Sequence, residues 1–147
     1  MQRRTLLKAS LQLGLAGMIL PRAASGAYPT KAFLAKEMPD VLREAFGTSD
    51  IGESEQIEIE APHIASDANI VPVRIKSGLA NTESIALVVA GNKSPFTAYF
   101  KLYESQSFVS TRIRMSDTSD LLVVVKADGV LYANSRPIRV GRNSCGA

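Results

Sequence analysis

The residue best suited to covalent chemistry in this sequence is Cys145, the single cysteine among 147 residues. Around it, from Gly141 to Ala147, the side chains are small or polar apart from one arginine. A cysteine hydrolase needs a buried cysteine beside an oriented histidine, and a segment of this kind does not supply that setting. The pattern favours a flexible arm, residues 141–147, that carries a group on its thiol into narrow sites of other proteins.

The arm combines the thiol with residues that hinder the backbone little. These residues are Gly141, Asn143, Ser144, Gly146 and Ala147. In an oxidising compartment a single thiol has no intrachain mate, so it would form disulfides between molecules or with small thiols. Two interpretations follow from the residues alone: Cys145 carries a cargo, or it is an incidental exposed cysteine.

Few other residues suggest chemistry. His63 is the only histidine, and one histidine cannot build a His-rich metal site. It follows a proline in a predicted loop, where a surface position is expected. The sequence also has no glycine-rich phosphate loop. We therefore predict neither a cofactor nor a metal site, and these absences count against a redox enzyme that uses Cys145.

Two pairs of side chains are candidates for a partner surface. Arg112 and Arg114 project from one face of a predicted strand, so they either pair with carboxylates across a sheet or present charge to an anion or a partner. Tyr99 and Tyr103 share one face of another strand, with Phe100 on its other face. One of these two faces is expected in the core and the other at a partner surface.

Residues 1–27 have the three regions of an export signal in order. A charged start that includes Arg3 and Arg4 precedes the apolar run 11–20, and small residues end the segment at Ala27. The two arginines and the leucines that follow resemble a twin-arginine signal, and an ordinary secretory signal is the alternative. The apolar run is too short to cross about 30 Å of hydrocarbon, so we predict a periplasmic protein without a membrane anchor.

The positive charge of the chain is concentrated in that first segment. Residues 28–147 carry 13 Lys and Arg against 14 Asp and Glu. Proteins that bind nucleic acid offer a basic excess to the phosphates, and this part of the chain lacks one. A nucleic acid is therefore not an expected partner.

The body of the chain, residues 28–140, is predicted to be one domain that begins with a helix. Apolar residues recur at helical spacing over 30–47, and the pattern is stronger from Pro39 to Phe46. Proline suits the first turn of a helix, and Gly47 is a natural stop.

After residue 55 the apolar positions alternate with period two, which predicts strands. The predicted strands are 56–61, 70–76, 84–90, 97–103, 108–114, 120–127 and 130–135, with 136–140 extending the last one or forming a short strand. Asp128 and Gly129 are a two-residue hairpin signal. Short strands without intervening helices predict an all-β fold, an immunoglobulin-like antiparallel β-sandwich of about seven strands with a short N-terminal helix.

Several stretches of the predicted sandwich resemble the SoxY family. They are 57–65 (IEIEAPHIA), 70–75 (IVPVRI), 110–118 (STRIRMSDT) and 125–129 (VKADG), followed by a last strand that leads to Cys145. The resemblance extends over about residues 30–147. It implies a periplasmic carrier, not a catalyst, that binds sulfur intermediates covalently on Cys145 during the oxidation of thiosulfate.

The resemblance also implies a set of partners. A SoxZ-like subunit would form a heterodimer with the chain, a SoxAX-like haem enzyme would join thiosulfate to Cys145, and a SoxB-like hydrolase would release sulfate. In some organisms a sulfane dehydrogenase acts as well. The alternative function is a structural subunit that stabilises a SoxZ-like partner, with the cysteine incidental or used for a covalent dimer.

The arm departs from the family pattern at the residues beside the thiol. The family sequence is usually Gly-Gly-Cys-Gly-Gly, whereas this chain has Asn143, Ser144, Cys145, Gly146 and Ala147. The three replacements are small, so the arm would still enter a narrow channel, but its backbone has less freedom than glycine provides.

Overall fold

The computed structural model describes residues 28–104 and 106–141. In these ranges the chain begins with a turn of 3₁₀ helix, Thr30–Phe33, and one α-helix, α1, Met38–Phe46. Nine strands follow: β1 Gly52–Glu53, β2 Ile57–Glu60, β3 Ile64–Ala65, β4 Val71–Ser77, β5 Thr82–Val89, β6 Phe96–Lys101, β7 Phe108–Ile113, β8 Ser119–Ala127 and β9 Val130–Val140. No helix in the described part of the chain is both long enough and apolar enough to cross a membrane.

The strands form two sheets that pack face to face. The larger sheet has the order β1-β9-β8-β5-β6, with β3 also paired to β9, and the smaller sheet has the order β2-β4-β7. Between them lies a core of buried aliphatic side chains: Ile57, Val71, Val73, Ile75, Ile85, Leu87, Val89, Ile113, Leu121, Val123, Val125 and Ile138. The prediction of an all-β sandwich is confirmed, with nine strands in the described residues instead of about seven.

The two strands that the sequence pattern misses are β1 and β3. Each has only two residues and pairs in parallel with β9, whereas the other pairs are antiparallel. Backbone hydrogen bonds extend this pairing: the Ser54 N–H donates to the Ala133 carbonyl at 3.0 Å, and the Arg139 N–H donates to the His63 carbonyl at 2.9 Å. Two residues are too few to show an alternation of side chains, so period two does not reveal them.

The predicted helical segment is divided. Residues 30–33 form a 3₁₀ turn and α1 starts later, so the prediction of one helix over 30–47 is wrong for its first half and confirmed for its second. Pro39 lies in the first turn of α1, where its missing N–H has no intrahelical acceptor to lose. Gly47 ends the helix with φ at +78°, and its N–H donates to the Arg43 carbonyl at 2.8 Å.

The helical segment covers the outer face of the larger sheet. Val41 of α1 belongs to a second buried cluster there, together with Val88, Phe96 and Val124. Because α1 covers one face and the smaller sheet the other, the central strands β5 and β8 are buried on both faces, which explains their nearly continuous apolar sequences. In the smaller sheet, β4 alternates strictly between buried and exposed residues because its outer face meets solvent.

The remaining predicted strands agree with the structure to within two residues at their ends. Residues 136–140 extend the last strand, and Asp128 and Gly129 both have positive φ, 48° and 74°, as a two-residue hairpin turn requires. Pro72 lies where β4 pairs with β7 alone, because β2 pairs with β4 only from Arg74 onwards, and proline is tolerated where a strand lacks a partner on one side.

Candidate functional site

The predicted arm continues from the end of β9. Its residues Asn143, Ser144, Cys145, Gly146 and Ala147 lie outside the described residues, as does the predicted signal, 1–27. The structure therefore shows the segment from which the arm starts, residues 139–141, which we call the arm root.

Hydrogen bonds hold the backbone of the arm root from both sides. The N–H of Gly141 donates to the Ala65 carbonyl of β3 at 3.0 Å. The preceding N–H, that of Val140, points to the other side of the strand and donates to Thr118 Oγ1 at 2.9 Å. A strand on one side and a loop on the other therefore fix the chain up to its last described residue.

The loop that carries Thr118 is itself braced. The Asn92 side chain bridges it, because Nδ2 donates to the Arg114 carbonyl at 2.8 Å and Oδ1 accepts from the Ser116 N–H at 2.7 Å. Met115, between these two residues, is buried in the inter-sheet core. The arm thus starts from a base that is tied both to the core and to the neighbouring loop.

None of these supporting residues is predicted from the sequence. A polar loop residue such as Thr118 has the same local pattern whether it faces water or accepts a hydrogen bond from Val140, 22 positions away. The only signal is that Thr118 lies in a polar turn between two predicted strands, which does not distinguish the two cases.

His63 is exposed, as predicted for a loop histidine, and it contacts Arg136. Its Nε2 lies 3.3 Å from Arg136 Nη2, and Arg136 Nη1 donates to the Ile59 carbonyl at 3.2 Å. Because a guanidinium only donates, Nε2 is the acceptor in this contact. His63 therefore helps to join the segment before β3 to β9. No cluster of His, Cys, Asp and Glu that could hold a metal ion occurs among the described residues.

Tyr99 and Tyr103 lie in different surroundings. Tyr99 is half-buried under the helical segment, with its ring centroid 6.0 Å from that of Tyr28 and 6.2 Å from that of Phe46. Phe100, on the other face of β6, packs against the inter-sheet core, and Tyr103 is 73% exposed beyond the end of the strand. The expected core face is therefore confirmed as the one that holds Phe100. On the opposite face the helical segment partly covers Tyr99, and only Tyr103 is exposed.

Arg112 and Arg114 are both exposed, at and just beyond the end of β7. In the part of the chain that the structure describes, neither guanidinium forms an ion pair. Arg112 lies opposite Pro72 in the pairing of β4 with β7, so no carboxylate faces it across the sheet. Of the two interpretations, presentation of charge to an anion or a partner fits this geometry, and pairing across the sheet does not.

Comparison with known proteins identifies relatives of the chain. The family model described as "Sulfur oxidation protein SoxY" matches residues 42–145, which include all the strands from β1 to β9. No curated protein matches the chain. Among solved structures, the sulfur carrier protein SoxY from Chlorobium limicola f thiosulfatophilum is similar at 36% identity and a TM-score of 0.66, over 78% of this chain and 100% of that chain.

A second solved structure has a similar fold but belongs to a protein named for a different function. It is a superoxide reductase (neelaredoxin) from Ignicoccus hospitalis, with 17% identity and a TM-score of 0.50, over 59% of this chain and 81% of that chain. A likeness at this level of identity shows only that the two proteins share the sandwich fold, since one fold supports many functions.

Proposed function

The chain belongs to the SoxY family of sulfur oxidation proteins, and on that premise we propose that it carries sulfur intermediates covalently on Cys145 in the periplasm during the oxidation of thiosulfate. The observation that carries this proposal is the arm root: hydrogen bonds fix β9 up to Gly141, and Cys145 follows four residues later. At about 3.3 Å per residue, an extended connection of that length reaches about 13 Å beyond the fixed point. A short arm on a fixed base brings one thiol to several enzymes in turn while the sandwich stays outside their active sites.

The first chemical step of this proposal is oxidative. The thiol of Cys145 and thiosulfate form a sulfur–sulfur bond, giving a cysteine S-thiosulfonate, and one proton and two electrons leave. A SoxAX-like haem enzyme accepts the electrons. The bond that breaks is the S–H bond of the thiol, and no group of the sandwich takes part in the redox chemistry.

The second step is hydrolytic. In the site of a SoxB-like hydrolase, water attacks the terminal sulfonate sulfur, and the bond between that sulfur and its sulfur neighbour breaks. Sulfate and two protons leave, and Cys145 keeps the remaining sulfur as a persulfide anion. A sulfane dehydrogenase oxidises that sulfur further in organisms that have one. The chain itself acts as a carrier in this sequence and not as an enzyme.

We further propose that the chain works as a heterodimer with a SoxZ-like subunit after export through the twin-arginine-type signal of residues 1–27. The role of Cys145 as the attachment site is supported by the absence of a second cysteine in the sequence, because no intrachain disulfide competes with the cargo. Neither a cofactor nor a metal of its own is required by the chemistry of the carrier.

A second function is favoured by one observation, the residues beside the thiol. Asn143, Ser144 and Ala147 replace glycines of the usual family tail and reduce the conformational freedom of the backbone. If these residues prevent the enzymes from accepting the arm, the chain serves as a structural subunit that stabilises a SoxZ-like partner, with Cys145 incidental or used in a covalent dimer.

Growth of the source bacterium on thiosulfate separates the two functions. For a carrier, Cys145→Ser stops growth as completely as deletion of the whole chain does, because the cargo has no attachment point. For a structural subunit, only the deletion stops growth. The purified Cys145→Ser protein should keep the melting temperature of the parent, which shows that the loss of growth is not a loss of folding. Normal growth of the Cys145→Ser strain would contradict the carrier function.

A further inference from the structure

On the outer face of the smaller sheet, the acidic residues lie on one strand and the basic residues lie on the other two. The exposed residues are Glu58 and Glu60 on β2, Pro72, Arg74 and Lys76 on β4, and Phe108, Ser110 and Arg112 on β7. The strand register places both carboxylates of β2 opposite cations of β4. The carboxylates therefore lie at one margin of the face, and the guanidinium of β7 lies at the other.

Arg112 is the charge of this face that lacks an opposite charge across the strands. It lies opposite Pro72 and diagonal to Arg74, a spacing of roughly 7–8 Å between the two positions. The ion pair of Arg74 with Glu60 is long, with 3.7 Å between Arg74 Nη1 and Glu60 Oε2, and both side chains are well over half exposed. Two guanidinium groups thus have a single, loosely held carboxylate near them, which leaves N–H donors directed to solvent.

The two arginines line a shallow, open groove of about 490 Å³ between β4 and β7. Pro72 and Ser110 also line it, and Ser110, opposite Arg74 and on the same strand as Arg112, adds a hydroxyl that can form hydrogen bonds. Guanidinium groups bind carboxylates through paired hydrogen bonds, so the groove is suited to carboxylate side chains presented by another surface.

The groove lies at the end of the sandwich that holds the arm root. From Arg112 the chain continues past the end of β7 to Met115, whose N–H donates to the Ala68 carbonyl at 2.8 Å. Ala68 follows closely on Ala65, the residue that accepts the N–H of Gly141. A protein bound at the groove is therefore placed beside the start of the arm.

We propose that this groove docks an acidic surface of a protein that receives the arm, with carboxylates of that protein bound to Arg74 and Arg112. The inference rests on the proposed function for the nature of the guest, an arm-receiving enzyme. Glu58 and Glu60 at the β2 margin repel the same carboxylates, so the guest binds in one orientation. That acidic margin also opposes a nucleic acid, as does the lack of a basic excess over residues 28–147.

The test uses the mature protein, residues 28–147, in its Cys145→Ser form, with a hexaglutamate peptide as the acidic probe. Two-dimensional NMR should show saturable shifts of the backbone amides of Arg74, Ser110 and Arg112, and a hexaglutamine peptide should leave them in place. Arg112→Glu should weaken hexaglutamate binding about tenfold or more. Lys36→Glu makes the same change of charge at an exposed site beside α1, on the other side of the sandwich, and should change binding less than about twofold.

Three outcomes would overturn the proposal. The first is equal weakening by Arg112→Glu and Lys36→Glu, and the second is shifts spread over the whole surface; either one shows a general attraction without a site. The third is saturation of the same amides by sodium sulfate at equal charge, which shows a groove for small oxoanions instead of an acidic protein. Because the probe experiment needs neither thiosulfate nor Cys145, its result is independent of whether the chain carries sulfur.

Discussion

The two outer faces of the sandwich differ in what covers them. On the larger sheet, α1 and the 3₁₀ turn lie over the strands, and Phe96 at that face is 1% exposed. On the smaller sheet, no element of the described residues lies over the strands, and Phe108 at that face is 47% exposed. The difference indicates that one face stabilises the fold, whereas the other is available to partners and presents charge.

Aromatic side chains pack over the outer face of the larger sheet, which we call the covered face. Phe33 of the 3₁₀ turn contacts Phe96 edge-on with ring centroids 4.6 Å apart, and Tyr28 stacks on Phe33 at 5.5 Å. Pairs of this geometry contribute about 0.5–1.5 kcal/mol each beyond the area that they bury. A single helical turn thus adds to the stability of the larger sheet although it has only four residues.

The sharpest test of this comparison is a pair of phenylalanine truncations. Phe96→Ala should lower the free energy of unfolding by about 3–5 kcal/mol, because it opens a cavity under the helical segment. Phe108→Ala removes the same ring from the outer face of the smaller sheet, which we call the bare face. It should lower the free energy of unfolding by less than about 1 kcal/mol. Chemical denaturation of the two variants measures both values, and similar losses would show that the bare face is in fact packed.

The end of α1 offers a smaller test of the covered face. Gly47 has φ at +78°, a conformation that alanine adopts only with strain, so Gly47→Ala should cost about 1 kcal/mol. Ser49→Ala, an exposed change in the same connection, is the matched control and should leave stability unchanged. If thermal unfolding shows no difference between the two variants, the position of α1 does not depend on its glycine stop.

The smallest expected effect is on the bare face itself. Arg112→Glu should change the free energy of unfolding by no more than about 0.5 kcal/mol, since Arg112 is exposed and forms no ion pair with the described residues. The same variant should lose binding of an acidic probe. A large loss of stability, seen as a fall in the melting temperature, would mean that Arg112 serves the fold instead of a partner.

Much of the fold can be predicted from the sequence because the local order of apolar and polar side chains shows which residues are buried. The alternation over β4 and the continuous apolar run of β5 each indicate a strand, and they also show which of the two is covered on both faces. Asp128 and Gly129 reveal the hairpin because few residue pairs tolerate positive φ at both positions. The short strands β1 and β3 escape prediction because backbone pairing alone defines them.

The candidate site likewise has residues that the sequence identifies and residues that only the fold brings together. Residue types alone identify Cys145 and the small residues beside it. Thr118 and Ala65 hold the arm root only because the fold brings them next to β9, and no local pattern contains that information. Whether Arg112 is paired depends on the residue opposite it, and that residue, Pro72, is known only once the register of β4 and β7 is known.

The central claim is that Cys145 carries sulfur, and intact mass spectrometry tests it most directly. The protein is isolated without reductant from cells that are oxidising thiosulfate, and the modified peptide is then identified. We expect a fraction of the molecules to be heavier by a thiosulfonate group or by one or more sulfur atoms, with the added mass on the peptide that contains Cys145. Only free thiol, or only plain protein dimers, in such cells would contradict the carrier function.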